Sequence, residues 1–409
     1  MRILFCSQAA HTGGGVETWM EALTDALAGC GWDVVTALAR GRFHDPERYA
    51  ARHRVANPIA VDGTRGLREV RILELLRTFE RVQPDVILPV HLADAIAAAA
   101  LWKTRGGRAR LALCIHGQDD ERIDPVRAVA PFVDLAVSVS RRVAERLVPI
   151  VGEAERVRHI PTGVPAPLAP PVPRERIRHI AYVGRLDREE KRIGDAIAML
   201  RALREAGVVL HFAGEGPAEE WLREELREEI ACGRAIFHGR LAREELYRTF
   251  YPAIDALVVF SRAETGPIVL WEAMAHGVVP LISDYLGRRE ENVVHDGVNG
   301  IVFPAGEPEA AARALREAMA ANRVAALSRN AMAQLPAAYT LAGFRDAWCD
   351  ALARCAAMPL RSRSARDLPP LLSPGFLARL GLGLETTARL RILAGRRFVH
   401  HEPGSEWPH

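Results

Sequence analysis

Residues 1–38, MRILFCSQAAHTGGGVETWMEALTDALAGCGWDVVTAL, decide the fold. A short apolar run ends at Ser7, the glycine-rich turn HTGGG follows, and apolar residues then recur at helical spacing until Gly29 and Gly31. The next run, WDVVTAL, has the pattern of a second strand. A strand, a glycine turn, a helix and a strand form a βαβ unit, which predicts a parallel sheet with right-handed crossovers.

The same alternation continues along a chain of 409 residues, which is too long for one compact core. Residues 160–176 interrupt it with six prolines, so this segment is predicted to be an interdomain linker. The βα pattern restarts at RHIAYVGRL. We therefore expect an α/β protein of two doubly wound, Rossmann-like domains. The first covers residues 1–168 and is completed by C-terminal helices from about 340 to 409, and the second covers residues 174–338.

The composition narrows the class of protein. A net charge of +3 gives no indication of a nucleic-acid partner, and 49% apolar residues are ordinary for a globular chain. The N-terminal apolar run is shorter than a signal peptide requires, and no apolar run reaches membrane-spanning length, so a cytoplasmic protein is expected. The six cysteines form no CxxC pair, which favours buried small apolar residues over a zinc site or a disulfide framework.

Several candidate residues fall directly after predicted strands, where open parallel sheets bind their ligands. If two such sheets face each other, the cleft between them is the predicted site. Gly14 and Gly15 open the first helix, where backbone could approach an anion closely. The spacing is not GxGxxG, so a dinucleotide is not indicated, and a plain tight turn is the alternative.

Arg185 and Lys191 follow the strand that ends at Gly184. Two cations beside the start of the next helix would suit a diphosphate, while solvated charges on a crowded loop are the alternative.

The segment SRAETGPIVLWEAMAHG, residues 261–277, places Glu264 after a strand and Glu272 within the following helix. A carboxylate can accept hydrogen bonds from two adjacent hydroxyls, which suits a sugar diol. The alternative is a pair of acids that stabilise the helix dipole. His116 ends a strand of the first half and could meet a ligand, or it could be a buried structural histidine.

The segments GGGVE, HG, PTGV, VGRLDREEK, AGEGP, HGR, SRAETGPIVLWEAMAHG and HDGVNGIVFP occur in this order along the chain. Together they resemble the retaining GT-B glycosyltransferases of family 4, the glycosyl transferases group 1. The resemblance runs from about residue 2 to residue 350. It implies a GT-B fold, in which two facing Rossmann-like domains hold a nucleotide sugar between them.

The resemblance also implies roles for single residues. Glu272 is similar to the glutamate that holds the nucleotide ribose, and Glu264 to its partner beside the donor sugar. Arg185 and Lys191 resemble the pair that neutralises the leaving diphosphate. His116 resembles the histidine near the donor sugar, and Gly14 and Gly15 the loop beside the phosphates and the acceptor. The remaining donor-binding positions implied in this way are Gly184, Glu215, Gly266, Pro267 and Ile268.

The implied function is a retaining, metal-independent transfer of sugar from a nucleoside-diphosphate sugar, with UDP as the commonest nucleotide of the family. The chain has no D-x-D motif, so no metal and no other cofactor is expected. The acceptor would be a hydroxyl of a glycan, a lipid-linked sugar or a small molecule. The alternatives are a GT-B-like sugar-nucleotide epimerase or hydrolase and a noncatalytic sugar-nucleotide-binding protein.

The chain departs from the family pattern in two places. Gly266-Pro267 stands where Phe-Gly or Leu-Pro is usual, and the glutamate of Gly-Gly-x-x-Glu falls at Asn292 or slips to Glu291, so the donor sugar is left open.

Residues 360–409 lie outside the resemblance. Their basic, leucine-rich part, residues 375–398, could contact an anionic membrane surface or pack across the first domain.

Overall fold

The computed structural model describes residues 1–9, 15–361, 364–369, 377, 380–402 and 406–407. The chain divides into two compact units, of which the first combines Met1–Pro161 with Phe344–His409 and the second is Thr162–Gly343. Both units are α/β, as the alternating pattern predicts.

The described strands of the first unit form a seven-stranded parallel sheet. They are β1 (Arg2–Gln8), β2 (Asp33–Arg40), β3 (Pro58–Asp62), β4 (Val86–Val90), β5 (Arg110–Ile115), β6 (Val133–Ser138) and β7 (Val157–His159). Their order in the sheet is β3-β2-β1-β4-β5-β6-β7.

Helices cover both faces of this sheet because the apolar residues of its strands alternate. In β1, Ile3 and Phe5 join one core cluster, whereas Leu4 and Cys6 join the cluster on the opposite face. The helices are α1 (Gly15–Gly29), α2 (Pro46–Arg52), α3 (Arg68–Val82), α4 (Ala93–Thr104), α5 (Asp120–Ala128), α6 (Arg141–Val151), α16 (Leu341–Ala357) and a C-terminal helix (Leu384–Leu393).

The described strands of the second unit form a six-stranded parallel sheet in the order β10-β9-β8-β11-β12-β13. Their bounds are β8 (His179–Val183), β9 (Val209–Ala213), β10 (Ala235–Gly239), β11 (Ala256–Val259), β12 (Val279–Ser283) and β13 (Ile301–Phe303). The helices are α7 (Asp195–Ala202), α8 (Glu219–Glu225), α9 (Arg227–Ala231), α10 (Arg243–Glu245), α11 (Tyr251–Ala253), α12 (Ile268–Ala275), α13 (Arg288–Glu291), α14 (Pro308–Ala320) and α15 (Val324–Ala333). A π-helical turn, Leu246–Phe250, joins α10 to α11.

Each sheet reverses its strand order once, between β1 and β4 in the first unit and between β8 and β11 in the second. The connections leave such a point in opposite directions, so the loops after the two strands leave a crevice at their carboxyl ends. The residues that follow β8 and β11 are therefore neighbours, although the two strands are far apart in the sequence.

The C-terminal helix packs on the first unit. Leu384 and Ala388 are buried, and Arg391 forms an ion pair with Glu69 of α3 (3.0 Å). The sequence analysis left two possibilities for residues 375–398, and the described residues of this range pack on the first domain. No helix within the described ranges is long and apolar enough to cross a membrane.

Two cysteines depart from the sequence expectation, because a disulfide bond joins Cys30 to Cys349. The expectation of no disulfide is wrong for this pair, which links the end of α1 to α16 across 319 positions of sequence. No local spacing signals such a pairing, because the two cysteines meet only when α16 returns to the first unit. Cys6, Cys114 and Cys355 are buried, as expected, whereas Cys232 is exposed.

The disulfide generates a first prediction. Under oxidising conditions, Cys349→Ser should lower the free energy of unfolding by about 2–4 kcal/mol, because the bond restricts the unfolded chain. Urea unfolding measures this change, and Cys232→Ser is the matched control, since Cys232 forms no disulfide. In dithiothreitol, Cys349→Ser and the unsubstituted chain should unfold alike. An equal difference with and without the reductant would show that the loss comes from packing rather than from the bond.

Candidate functional site

Glycines directly follow β8 and β9 at the crevice of the second unit. Gly184 has φ +145° and Gly214 has φ +147°, a region that favours glycine. A Cβ at Gly214 would lie 1.9 Å from the carbonyl oxygen of Gly184, so the two loops need glycine to approach this closely. Glu215 follows, with its side chain exposed and its carbonyl accepting the N–H of Leu186 (2.9 Å).

Arg185 lies on the loop after β8 with its side chain 55% exposed. Its guanidinium is 2.6 Å from a carboxylate oxygen of Glu190 and 3.8 Å from one of Asp187. An exposed ion pair contributes only about 0–1 kcal/mol, so Arg185 can exchange Glu190 for an anionic ligand at little cost.

Lys191 and Glu264 meet at the point where the strand order reverses. The Nζ of Lys191 lies 2.7 Å from the Oε1 of Glu264, and the Ser261 hydroxyl donates to the same oxygen (2.6 Å). The Lys191 side chain is 30% exposed and that of Glu264 12%. The structure thus brings together two of the predicted site residues, 73 positions apart in the sequence.

The loop that carries Glu264 is fixed by main-chain hydrogen bonds. The N–H of Glu264 donates to the carbonyl of Leu286 (3.2 Å), whose own N–H donates to the carbonyl of Arg262 (2.8 Å). Gly287 is required beside this bridge, since its φ is +104° and a Cβ there would lie 2.8 Å from the carbonyl oxygen of Glu264.

The same loop leads into the N-terminus of α12. Gly266 has φ +96°, Pro267 is the N-cap residue, and Ile268 begins the helix. The side chain of Pro267 does not cap the helix, so N–H groups in the first turn of α12 can bind an anion.

Glu272 lies inside α12 and is buried, with 3% of its surface exposed. The Arg243 guanidinium donates to its Oε1 (3.1 Å) and the Tyr251 hydroxyl to its Oε2 (2.8 Å). Burial raises the pKa of the Glu272 carboxyl, and the charge of Arg243 and the Tyr251 hydroxyl oppose that rise. Glu264 and Glu272 therefore occupy different environments, because one pairs with Lys191 and the other lies in a buried network.

Sequence reasoning missed Arg243 and Tyr251. Arg243 had a signal, since it is a basic residue four positions after the end of β10, in the stretch HGRLAREE. Tyr251 had none, because the π-helical turn before it sets which way the helix presents its side chains. Arg243 is one-third exposed, so it connects the buried carboxylate of Glu272 with the surface.

In the first unit, His116 follows the end of β5 and is partly buried. The Trp19 ring contacts it edge-on at a centroid distance of 4.4 Å, and the His91 ring lies at 5.5 Å. Burial and the nearby charge of Arg122 lower the pKa of His116 to about 3, so its ring is neutral at physiological pH.

His116 lines a largely apolar pocket at the carboxyl ends of β4 and β5. Arg122 stands at this pocket and donates to the Nδ1 of His91 (2.9 Å). Leu92, Leu113 and Ile115 contribute to its apolar walls. Of the two glycines predicted for this unit, Gly15 begins α1 and is exposed, while Gly14 lies outside the described residues.

Two family models match the chain, one in each unit. Residues 13–166 match the model described as Glycosyltransferase Family 4, and residues 177–321 match the model described as Glycosyl transferases group 1. Neither match extends beyond residue 321.

Similar proteins carry glycosyltransferase names. The chain is 27% identical over 330 residues to the glycogen synthase of Mycobacterium tuberculosis, covering 70% of this chain and 78% of that protein. It is 24% identical over 231 residues to the lipopolysaccharide 1,6-galactosyltransferase of Salmonella typhimurium, covering 56% of this chain and 63% of that protein.

Solved structures share the fold. Anabaena HepE in complex with UDP superposes with a TM-score of 0.70 at 18% identity, covering 87% of this chain and all of that chain. The sucrose-phosphate synthase of Thermosynechococcus elongatus superposes with a TM-score of 0.68 at 19% identity, covering 87% and 99%.

The buried network around Glu272 generates a second prediction. Arg243→Ala should lower the free energy of unfolding by roughly 1–3 kcal/mol, because it removes the cation from a buried carboxylate. Urea unfolding measures the loss. Arg248→Ala is the matched control, since Arg248 pairs with Glu244 at the surface, and its effect should stay within about 0.5 kcal/mol. Equal small losses in both variants would contradict a supporting role for Arg243.

The lowered pKa of His116 generates a third prediction. An unfolded histidine titrates near a pKa of about 6.5, so the unfolded chain binds a proton below that pH before folded His116 does. The titration of His116 should therefore leave the free energy of unfolding unchanged above that pH. As the pH falls from there toward 3, the same titration should lower the free energy of unfolding. Urea unfolding measures this at pH 7.5 and at pH 5, about one and a half units below the unfolded pKa. Between these two pH values, the free energy of unfolding should fall less in His116→Gln than in the unsubstituted chain. The same decline in both proteins would contradict the neutral state.

Proposed function

We propose a reaction for this chain on the premise that it belongs to the glycosyltransferases of family 4 and group 1 and has the GT-B fold. The proposed reaction is a metal-independent transfer of a sugar from a UDP-sugar to a hydroxyl acceptor, with retention of anomeric configuration. The acceptor hydroxyl belongs to a glycan, a lipid-linked sugar or a small molecule.

The arrangement of Lys191 and Glu264 is the observation that carries this proposal. Their contact lies where the strand order of the second unit reverses, which is the position at which open α/β sheets bind nucleotides. Arg185 lies on the same loop as Lys191, and α12 begins just after Glu264. Two cations and the free N–H groups of a helix N-terminus form a suitable site for a diphosphate.

The same groups suit the departure of UDP. The bond between the anomeric carbon and the β-phosphate oxygen breaks, and negative charge develops on that oxygen. Lys191, Arg185 and the α12 N-terminus would stabilise this charge without a metal. The acceptor oxygen forms the new bond to the anomeric carbon, and its proton passes to the departing phosphate. We assign no protein nucleophile.

Glu272 is the proposed ribose-binding residue, and its surroundings constrain how it would act. Both carboxylate oxygens already accept hydrogen bonds, one from Arg243 and one from Tyr251. A carboxylate can accept about four hydrogen bonds, so ribose hydroxyls could share it with these partners. The ribose would approach beside Arg243, whose side chain is partly exposed.

The choice of UDP rests on the structural neighbours. Structures of HepE contain UDP and UDP-glucose. We assign the acceptor to the first unit, where His116 lines a pocket at the strand ends. A saccharide acceptor is in keeping with the names of the two relatives, a glycogen synthase and a lipopolysaccharide galactosyltransferase.

The fourth prediction concerns donor binding. Calorimetry against UDP, GDP, ADP and TDP in the presence of EDTA should show binding of UDP with a Kd in the micromolar range, at about −8 kcal/mol. Lys191→Met should weaken it by roughly tenfold, because one charge contact with the diphosphate is lost. Arg248→Met, which removes an exposed cation elsewhere in the same unit, is the matched control and should bind UDP normally. Binding of UDP only with added Mg²⁺ would contradict metal independence.

Chemical labelling supplies an independent test of the same site. The sequence contains only two lysines, and Lys103 is buried with a 1% exposed side chain. Reductive methylation should therefore modify Lys191 and the N-terminus, and bound UDP should protect Lys191 while the N-terminus reacts at an unchanged rate. Methylation of Lys191 at the same rate with saturating UDP would place the diphosphate elsewhere.

A further inference from the structure

The last described residues of the chain, Glu406 and Trp407, are buried, although most described residues of the C-terminal tail, residues 360–409, are exposed. Glu406 is 2% exposed and Trp407 is fully buried, whereas Leu393 and Phe398 earlier in the tail are 84% and 60% exposed. Both residues lie outside the segments that match the family models. The proposed transfer reaction assigns them no role.

These two residues lie at the carboxyl ends of β1, β2 and β3. Gln8, the last residue of β1, donates its side-chain amide to the carbonyl of Trp407 (2.9 Å). Just after β2, Gly41 leaves room for Glu406, since a Cβ there would lie 2.2 Å from its carboxylate. Just after β3, Gly63 leaves room for Trp407, since a Cβ there would lie 2.3 Å from the indole ring.

Glu406 fixes the loop that follows β2. Its carboxylate accepts the backbone N–H of Arg42, that of Phe43 (2.6 Å) and a hydrogen bond from His44 Nδ1 (2.8 Å). Burial alone would raise the pKa of Glu406, but the bonds from His44, Phe43 and Arg42 bring it below its usual value, so the carboxylate is ionised at neutral pH. One carboxylate thereby holds three consecutive residues at the end of a strand.

Described residues on both sides of 403–405 contact the first unit. The N–H of Phe398 donates to the carbonyl of Arg65 (3.0 Å), and His400 contacts the carbonyl of Gly66 (3.1 Å). The Arg71 guanidinium then lies 5.4 Å from the centre of the Trp407 ring, within cation–π distance. The end of the described tail is therefore built into the first unit.

The location gives the tail a consequence for ligand binding. The strand order of the first unit reverses between β1 and β4, so its ligand crevice opens at their carboxyl ends. Glu406 and Trp407 cover the side formed by β1, β2 and β3. The pocket lined by His116 and Arg122 lies on the opposite side, at β4 and β5.

We infer that Glu406 and Trp407 support a specificity-determining wall of the acceptor site, whose accessible surface is the loop 41–44 and which excludes acceptors that would extend over the ends of β2 and β3. This inference rests on the proposed function, because it takes the first unit to bind the acceptor. Glu406 acts as a positioning residue through the loop 41–44, and Trp407 fills the space above β3. An acceptor must then fit between this wall and the β4–β5 pocket.

The first test, which is the fifth prediction, needs no substrate. Hydrogen exchange at the amides of Arg42 and Phe43 should be about tenfold faster or more in Glu406→Gln, because the neutral amide side chain is a weaker acceptor than the carboxylate. Glu385→Gln is the matched control, since it removes a tail carboxylate that pairs with Arg105 at the surface. Unchanged exchange in Glu406→Gln would overturn the positioning role, whatever the reaction of the protein.

The second test compares acceptor ranges. A chain ending at Glu402 and the variant Trp407→Phe are assayed beside the full chain, with UDP-glucose and UDP-galactose as donors and p-nitrophenyl glycosides of common hexoses as acceptors. We expect the shortened chain to accept glycosides that the full chain rejects, or to change the acceptor KM about tenfold, with an unchanged Kd for UDP. Trp407→Phe should stay closer to the full chain because it keeps an aromatic ring in the same space.

The outcomes separate this inference from the proposed function. If both chains bind UDP, an identical acceptor pattern in the full and shortened chains, including no transfer by either, would overturn the wall. Absence of UDP binding by the full chain would instead refute the proposed donor, while the exchange experiment would still decide the positioning role of Glu406. A shortened chain that no longer unfolds cooperatively would show a purely structural tail, unless Glu406→Gln keeps its stability and changes the acceptor KM.

Discussion

The pairing of β8 with β11 is the constraint on which the candidate site depends. Neighbouring strands in most of the second sheet are also neighbours in sequence, but these two are separated by two further strands and their helices. Because both strands run parallel, their carboxyl ends lie at the same edge, and the loops that carry Lys191 and Glu264 meet there. The first unit repeats the arrangement with β1 and β4. A topological feature of each sheet thus determines where charged side chains can converge.

Several buried carboxylates among the described residues are held in the same physical way, and three of them show it. Glu272 is paired with Arg243 and Tyr251, and Glu406 with backbone N–H groups and His44. Asp134 is buried beside Lys103, with their charged atoms 2.6 Å apart. An unpaired buried charge lowers the free energy of unfolding by roughly several kcal/mol, so each acid needs its own hydrogen-bond donors. These donors come from distant parts of the chain, and the acids therefore fix long-range geometry as well as local charge.

That dependence explains how much of the molecule the sequence could predict. The strand and helix patterns depend on local periodicity, and the two parallel α/β sheets that they predict are present in the structure. Lys191 and Glu264 could be selected separately because each follows a predicted strand. The burial of Glu272, its pairing with Arg243 and the disulfide of Cys30 could not be predicted, because each depends on which distant segment packs beside it. The short strands β3 and β7 could not be predicted for a different reason, because so few residues show no recognisable alternation.

The use of lysine bears on the chemistry of the site. Only two of the 54 lysine and arginine residues are lysine, so the chain forms nearly all of its surface ion pairs with arginine. Lys103 is buried against Asp134, and Lys191 lies beside Glu264 on the loop that follows β8. An ammonium is a compact point charge, whereas a guanidinium is a planar fork that needs more space and fixed partners. At the junction of the two loops, this compact charge contacts Glu264, and the proposed donor site assigns the same charge to the diphosphate. The residue type at position 191 is therefore consistent with the proposal that this cation binds the donor diphosphate as well as Glu264.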